Sequence, residues 1–333
     1  MHATLEDIAY KAGVSKMTVS RVLSGKGHVA SQTAEKINRI AAEVGYQPNL
    51  IARSLSSKKA MTVGVVIPKT EHIFLDNYIA QILSGVTDVL QKKDYRIMLF
   101  PGDHKNNEQE YVNIARSKLV DGIILIKAKT NDPKIDALSG IGFPFIMVNY
   151  KKYGKKLNFV DSENIKGARM ATRFLYEKGH RKIAFMAGTM SETNAVDRMK
   201  GFRDEMEACQ LEVRDEWILY GDFNRDTAFR EASKLLELKE RPTAIFCSDD
   251  YMAIAVMERL KGAGMRIPGD IAVIGFDDIE IASYVHPALT TIRQPMSDVG
   301  AASGSILLQL IDGKLAPPVH RLLKVELIER ESV

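Results

Sequence analysis

At 333 residues the chain is long for one compact domain and suits a small domain joined to a larger body. With 45% hydrophobic and 26% charged residues, no run near the roughly 18 apolar residues of a membrane helix, and two cysteines (Cys209 and Cys247), it reads as neither a membrane protein nor a disulfide-stapled scaffold. The net charge of +4 is unevenly placed: residues 1–60 carry +5 and the remainder −1, so the basic excess sits in the first sixth of the chain, either to meet phosphates or as a solvated face.

The start, "MHATLEDIAYKAG", is acidic and amphipathic and lacks the apolar run and cleavage pattern of a secretory signal, so a cytoplasmic protein with reduced, buried thiols is expected. Thr4 and Asp7 have the spacing of a capping box, followed by Leu5, Ile8, Ala9 and Ala12 at helical spacing and Gly13 as a stop. Ser15 can cap a second helix with Val19, Val22 and Leu23 inward. Lys16, Met17, Ser20 and Arg21 then share its outward face. A third helix is predicted after Ser31, with Ile37, Ile40, Ala41 and Val44 inward and Gly45 ending it. Two short helices around a glycine turn, braced by a third, suit a helix-turn-helix unit whose second helix offers an apolar face to a small core and a polar face to a major groove. A three-helix bundle with a solvated face has the same pattern.

In "YQPNLIARSLSSKKA", Pro48 breaks the chain, Asn49 can cap, and residues 50–57 suffice for two helical turns. Isolated helices need roughly 12–15 residues, so this segment is either a linker or folds against a partner. Leu55 is its oddity: a lone exposed leucine, or a wedge for a base step in the minor groove.

From Met61 the texture changes. "TVGVVIP", "YRIMLF", "DGIILI" and "FPFIMVN" alternate with amphipathic helical patterns, and after residue 160 the cycle restarts through "RKIAFMAG", "TAIFCSDD" and "IAVIGFDD". Continuous apolar strands between such helices predict parallel, doubly wound sheets in two similar lobes, with a ligand at the carboxyl ends of the strands. Polar residues follow those ends: Thr70, Glu71, His72, Lys127, Lys129, Arg198, Asp249, Asp250, Asp277 and Asp278. Acidic residues there also serve as plain helix caps, and Phe223 in "GDFNRD" suits either a sugar-stacking face or the core. No G-x-G-x-x-G after a strand, G-x-x-x-x-G-K-[ST], G-x-S-x-G or metal-spaced His/Cys cluster is present, so neither an enzyme, a cofactor nor a metal is expected.

The stretches "TLEDIAYKAGVSKMTVSRVLSGKGHVASQTAEKI" and "GYQPNLIARSL", with "EKGHRKIAFMAG", "RMKGF", "VIGFDD" and "PALTTIRQP" downstream, resemble the lactose-repressor/galactose-repressor family of bacterial transcription regulators along essentially the whole length. The resemblance implies an all-α helix-turn-helix domain at 1–47, a hinge helix and linker at 48–60, and a two-lobed periplasmic-binding-protein-like α/β core at 61–333. It implies a first lobe of about 61–160 plus 293–320 and a second of about 161–292 plus 321–333. Lys16, Met17 and Arg21 would read base edges, and Ser15, Thr18, Ser20 and Thr33 would hold phosphates, with Thr4 and Asn49 also at the DNA. Leu55 would enter the operator centre beside Ala52.

For a small effector, which the resemblance implies to be carbohydrate-related, the matching positions are Arg198, Asp249, Asp277 and the aromatic Phe223, with Phe74 and Lys127 from the first lobe. Asp249 departs from the family's common Asn, and "KTEHIFLDNY" keeps Phe74 without the usual paired phenylalanines. A further carboxylate suits a polyol or a cationic group, or needs a basic partner such as Lys127. The end, "LIERESV", carries no leucine heptads, so a homodimer rather than a tail-held tetramer is expected. The reading is a dimeric, ligand-responsive repressor on a palindromic operator. Its rivals are a regulator answering a protein corepressor, and more remotely a periplasmic solute-binding protein or an enzyme on the same fold.

Overall fold

The computed structural model describes residues 3–23, 28–46, 59–68, 77–102, 109–128, 132–151 and 157–333. The expected positions Asn49, Ala52, Leu55 and Phe74, the hinge helix, and Thr70, Glu71, His72 and Lys129 lie outside the described residues. The chain divides into two compact units, Met1–Ala60 and Met61–Val333.

The first unit holds α1 (Leu5–Ala12), α2 (Lys16–Leu23) and α3 (Ser31–Glu43). Local chemistry sets their ends. The Thr4 hydroxyl accepts from the Asp7 N–H at 3.3 Å while the Thr4 N–H donates to the Asp7 carboxylate at 2.8 Å, a complete capping box. Gly13 takes φ +70°, which a residue with a Cβ adopts only with strain, and this closes α1. Ser15 Oγ accepts from the Thr18 N–H at 3.1 Å and starts α2. Helix α3 begins at Ser31 itself rather than after it. Ala30 is the N-cap, without a side-chain bond, and the Ser31 hydroxyl donates to Glu35 at 3.1 Å. Ile8, Val19 and Ile37, one from each helix, are fully buried and fasten the three together.

The larger unit runs β1 (Thr62–Ile67), α4 (Asn77–Gln91), β2 (Arg96–Pro101), α5 (Glu110–Arg116), β3 (Gly122–Ile126), α6 (Pro133–Gly140), β4 (Phe145–Val148) and β5 (Phe159–Ser162). It continues through α7 (Asn164–Glu177), β6 (Ile183–Ala187), α8 (Thr193–Ala208), β7 (Ile218–Tyr220), α9 (Arg225–Glu237), β8 (Ala244–Cys247), α10 (Asp250–Gly262), β9 (Ala272–Asp277) and β10 (Thr290–Arg293). Last come α11 (Met296–Ile311), β11 (His320–Leu323) and β12 (Glu326–Ile328).

These strands make two six-stranded sheets, in the orders β11-β5-β4-β3-β1-β2 and β12-β10-β9-β8-β6-β7. Every neighbour pairs in parallel except β10 with β12. Parallel strands need helices on both faces, and each sheet has an apolar cluster on either side. Helices α4 and α11 cover the first sheet at very close range: a Cβ on Gly85 would stand 1.8 Å from the Ser297 carbonyl oxygen, and one on Gly300 would stand 2.1 Å from that of Ile82.

The chain passes between lobes three times, each crossing lying one to three residues beyond the expected boundary. Residues 161–162 complete β5 in the first sheet, Arg293 completes β10 in the second, and residues 321–323 complete β11 in the first. The crossovers therefore follow Ser162, Arg293 and Leu323, because pairing with a neighbour continues past the point where the apolar run weakens.

Candidate functional site

Two surfaces carry the polar chemistry. On the small unit, α2 presents Lys16, Met17, Ser20 and Arg21 as an exposed face, with Val19 of the same helix fully buried. Met17 is 64% exposed, an apolar side chain held in water among hydrogen-bonding neighbours. Lys16 Nζ lies 2.6 Å from Glu6, but both are largely exposed, so the pair is weak and exchangeable. The Ser15 and Thr18 hydroxyls bond each other at 2.9 Å at the N-terminal end of α2, where the helix dipole favours an anion. Thr33 is half-buried at the start of α3. Thr4 is committed to its cap, where its hydroxyl also donates to Asp7 at 2.8 Å. Tyr10, 91% exposed on α1, is an outward aromatic that periodicity did not single out.

In the larger unit the centre of the cleft is Arg198 on α8, 2% exposed. Its Nε donates to Asn164 Oδ1 at 2.9 Å, its Nη1 donates to the Ser248 carbonyl, and Nη1 stands 3.5 Å from Asp277 Oδ1. The guanidinium lies 3.8 Å from the Phe276 ring centre and 6.0 Å from that of Phe223. Phe223 is at φ +52° and packs over Gly188, where a Cβ would meet its ring at 2.2 Å; it is half-buried against the core and still fronts the arginine.

The two acidic pairs divide their tasks. Asp249 Oδ1 accepts from the Met252 N–H at 2.7 Å, capping α10, and its carboxyl is pushed up to about 7, first by burial and then by Asp277; the Met252 N–H, Arg198 and Lys127 pull the other way. The expected partnership of Lys127 with Asp249 is thus electrostatic. Lys127, at φ +51° after β3, also holds its ammonium 5.1 Å from the Tyr78 ring centre. Asp250 is a strut instead: it accepts from the Ile279 N–H at 2.9 Å and from Thr291 Oγ1, and burial raises its carboxyl well above the ordinary range. Asp277 accepts from Gln294 Nε2, whereas Asp278 is held by Arg293 and Arg330, each at 2.6 Å.

Residues missed from the sequence complete the site. Asn149, just past β4 at φ +57°, buries both amide atoms without a hydrogen-bond partner, and Ser248 Oγ, Asp161 Oδ2 and Asn77 Nδ2 are buried in the same condition. All four lie at or after the carboxyl ends of strands or at the following helix start, and such groups cost about 1–3 kcal/mol each unless satisfied. Asp161 accepts from the Ser162 N–H at 2.8 Å and Asn164 Nδ2 at 3.0 Å; burial pushes its carboxyl up to about 6, with Lys151 the largest opposing influence. Lys151 forms a buried ion pair with Asp197 across the lobes. Thr193 joins the lobes again, accepting from the Lys151 N–H at 3.3 Å and donating to the Asn149 carbonyl at 3.4 Å. Position at the carboxyl end of a strand marks Asn149, Asp161 and Ser248 in the sequence as it marks Lys127 and Asp249.

Among the described residues no group of three His, Cys, Asp or Glu side chains could hold a metal, and no helix is long and apolar enough to cross a membrane. Cys209 and Cys247 are free and buried.

Comparison with known proteins joins both surfaces. Residues 4–49 match the family described as bacterial regulatory proteins, lacI family, and residues 172–333 match the periplasmic binding protein-like domain. The chain is 32% identical to the HTH-type transcriptional repressor PurR of Vibrio atlanticus over 333 residues, covering 99% of this chain and 98% of that one. Among solved structures it is similar to a lac repressor dimer bound to operator and the anti-inducer ONPF (TM-score 0.89, 27% identity, 100% and 99% covered). It is also similar to the transcriptional regulator CelR in complex with cellobiose (TM-score 0.78, 31% identity, 100% of both chains). These relatives are transcriptional regulators, not enzymes, and this chain belongs with them to the lacI family of DNA-binding bacterial transcription regulators.

Proposed function

We propose that the protein is a cytoplasmic, homodimeric repressor of a two-fold symmetric operator, released or engaged by a small polyhydroxylated effector bound between the lobes of residues 61–333. The observation that carries the effector reading is the set of buried, unsatisfied amide, hydroxyl and carboxyl atoms of Asn149, Ser248 and Asp161 at the strand ends, Ser248 being bonded through its carbonyl to Arg198. A sugar hydroxyl both donates and accepts, and so matches such a mixed set; the half-buried Phe223 supplies a face for the ring's C–H edges. Asp249, with a value near 7, is available as a donor or an acceptor around neutrality. The cellobiose held by the similar CelR structure fits this chemistry.

At the DNA, Lys16, Met17 and Arg21 read base edges and Ser15, Thr18, Ser20 and Thr33 hold the backbone, with Met17 suited to a thymine methyl. Residues 48–60 serve as the hinge, and Leu55 is its wedge. Effector binding changes the angle between lobes, hence the spacing of paired hinges and their ability to fold on DNA.

Thermal unfolding of the full chain against sugars, sugar acids, sugar phosphates, polyols and nucleobases tests this reading. A ligand at 100 times its Kd adds about 2.7 kcal/mol to the native state. A hit lost in Asp277→Ala places the effector in the cleft; a panel without hits removes the small-effector reading and leaves DNA binding standing.

A further inference from the structure

A second cavity, of about 510 Å3, opens beside the crossovers. Both lobes wall it: Lys151 and Leu322 from the first, and α7 with Glu205 of α8 from the second. Glu163 and Asn164, the residues that make the first crossing, also line it. Its volume is in the range of small-molecule sites, and its apolar surface comes from Ile165, Met170 and the 47% exposed Leu322.

Its rim is cationic in a built way. Lys166, Arg169 and Arg173 recur at i, i+3 and i+7 of α7 and so share a face. Beneath them the buried Glu205 accepts from Arg169 Nε at 2.8 Å and from Arg173 Nε at 2.6 Å. One carboxylate thus fixes two guanidiniums and neutralises one of them, while Arg169 and Arg173 stay 50% and 42% exposed. Lys166 is balanced by Glu163 at 3.1 Å, and Lys151 by Asp197. Among the lining residues and these ion-pair partners one positive charge remains, over an apolar floor, with Glu177 near the end of α7 also acting on Arg173.

We propose that this cavity is a second ligand site, for a small organic anion with an apolar body and one phosphate or carboxylate head. The head takes the outward N–H groups of Arg169 and Arg173, whose fork suits either oxyanion, and the body lies on Met170 and Leu322. Because its walls come from both lobes, occupancy depends on their angle. Lys151 and Asn164, shared with the effector network through Asp197 and Arg198, link the two sites, and linkage makes their effects on each other reciprocal.

Isothermal titration of the full chain with phenyl phosphate and with benzoate, and with benzyl alcohol as the neutral control, tests the proposal. One equivalent of at least one anion should bind and the alcohol should not. Arg169→Gln, which leaves Glu205 paired with Arg173, should weaken binding about tenfold, the effect of one lost charge-assisted hydrogen bond. Leu322→Glu should abolish it, whereas Lys200→Gln, an exposed charge of α8 outside the lining, should leave it unchanged. No binding of either anion at millimolar concentration overturns the proposal. So does binding that survives Arg169→Gln and Leu322→Glu, or that disappears with Lys200→Gln.

Discussion

Arg198 Nε donates to Asn164 Oδ1 at 2.9 Å, tying the guanidinium at the heart of the cleft to the first residue of α7, directly after the first crossover. The same guanidinium stands 3.5 Å from Asp277, which in turn holds Gln294 at the second crossover. One buried cation is therefore tied, directly or through Asp277, to residues at two of the three crossovers between the lobes. A ligand that draws on Arg198 or Asp277 alters contacts at the pivot itself, which is an economical route from binding to rotation.

Asn164→Ala removes the fixed acceptor of Arg198 Nε together with one donor to Asp161. Operator affinity without effector should stay within about twofold, whereas effector affinity should fall by about 1–3 kcal/mol, the cost of an unsatisfied buried donor. Fluorescence anisotropy of labelled operator, with and without the effector found by thermal shift, reads both numbers.

The α2 face separates reading from holding. Arg21→Ala should cost about 1–3 kcal/mol on the operator, relax preference at one position of each half-site, and leave the melting temperature unchanged because Arg21 is exposed. Thr33→Ala should instead weaken operator and random DNA alike. Binding to a randomised-site library distinguishes the two patterns, and an Arg21 variant with wild-type preference would remove it from base reading.

Leu55→Ala tests the hinge. Operator binding should drop far more than random-DNA binding, since a wedge acts only where the duplex is kinked. Equal losses on both DNAs, measured at one salt concentration, would exclude the wedge.

Asp249 makes stability depend on pH. Burial raises its folded value from the ordinary 3.8 to about 7, so the folded chain holds the proton more tightly than the unfolded one. Without effector, the contribution of this group to stability is fullest below about pH 4 and falls as pH rises to about 7; Asp161, at about 6, acts in the same direction over a narrower window. Asp249→Asn keeps a helix cap and removes the buried charge. It should raise the melting temperature above pH 7, by an amount equivalent to about 2–4 kcal/mol, and the gain should shrink toward pH 4. Melting curves between pH 4 and 8 check the sign: a gain that is largest at low pH would be inconsistent with a buried ionised carboxyl.

The sequence by itself determined the features that local physics decides. The Thr4–Asp7 capping box, the left-handed stop at Gly13, the buried stripe Ile8–Val19–Ile37 and the polar face beside Val19 depend on residues a few positions apart in the chain or on helical periodicity. The alternation of buried parallel strands with helices was legible for the same reason, since a strand covered on both faces must be apolar throughout. Tertiary structure alone decided where strands stop and which polar side chains face the cleft. Asp249 and Asp250 are adjacent and chemically identical, yet Thr291 and Ile279 claim the second and leave the first to the cleft; Arg293 and Arg330 claim Asp278 in the same way. Asn149 and Ser248 look like ordinary loop residues until the sheets bury them beyond reach of a partner. Burial and hydrogen-bond competition are properties of neighbours brought together across dozens of residues, so no local pattern in the chain records them.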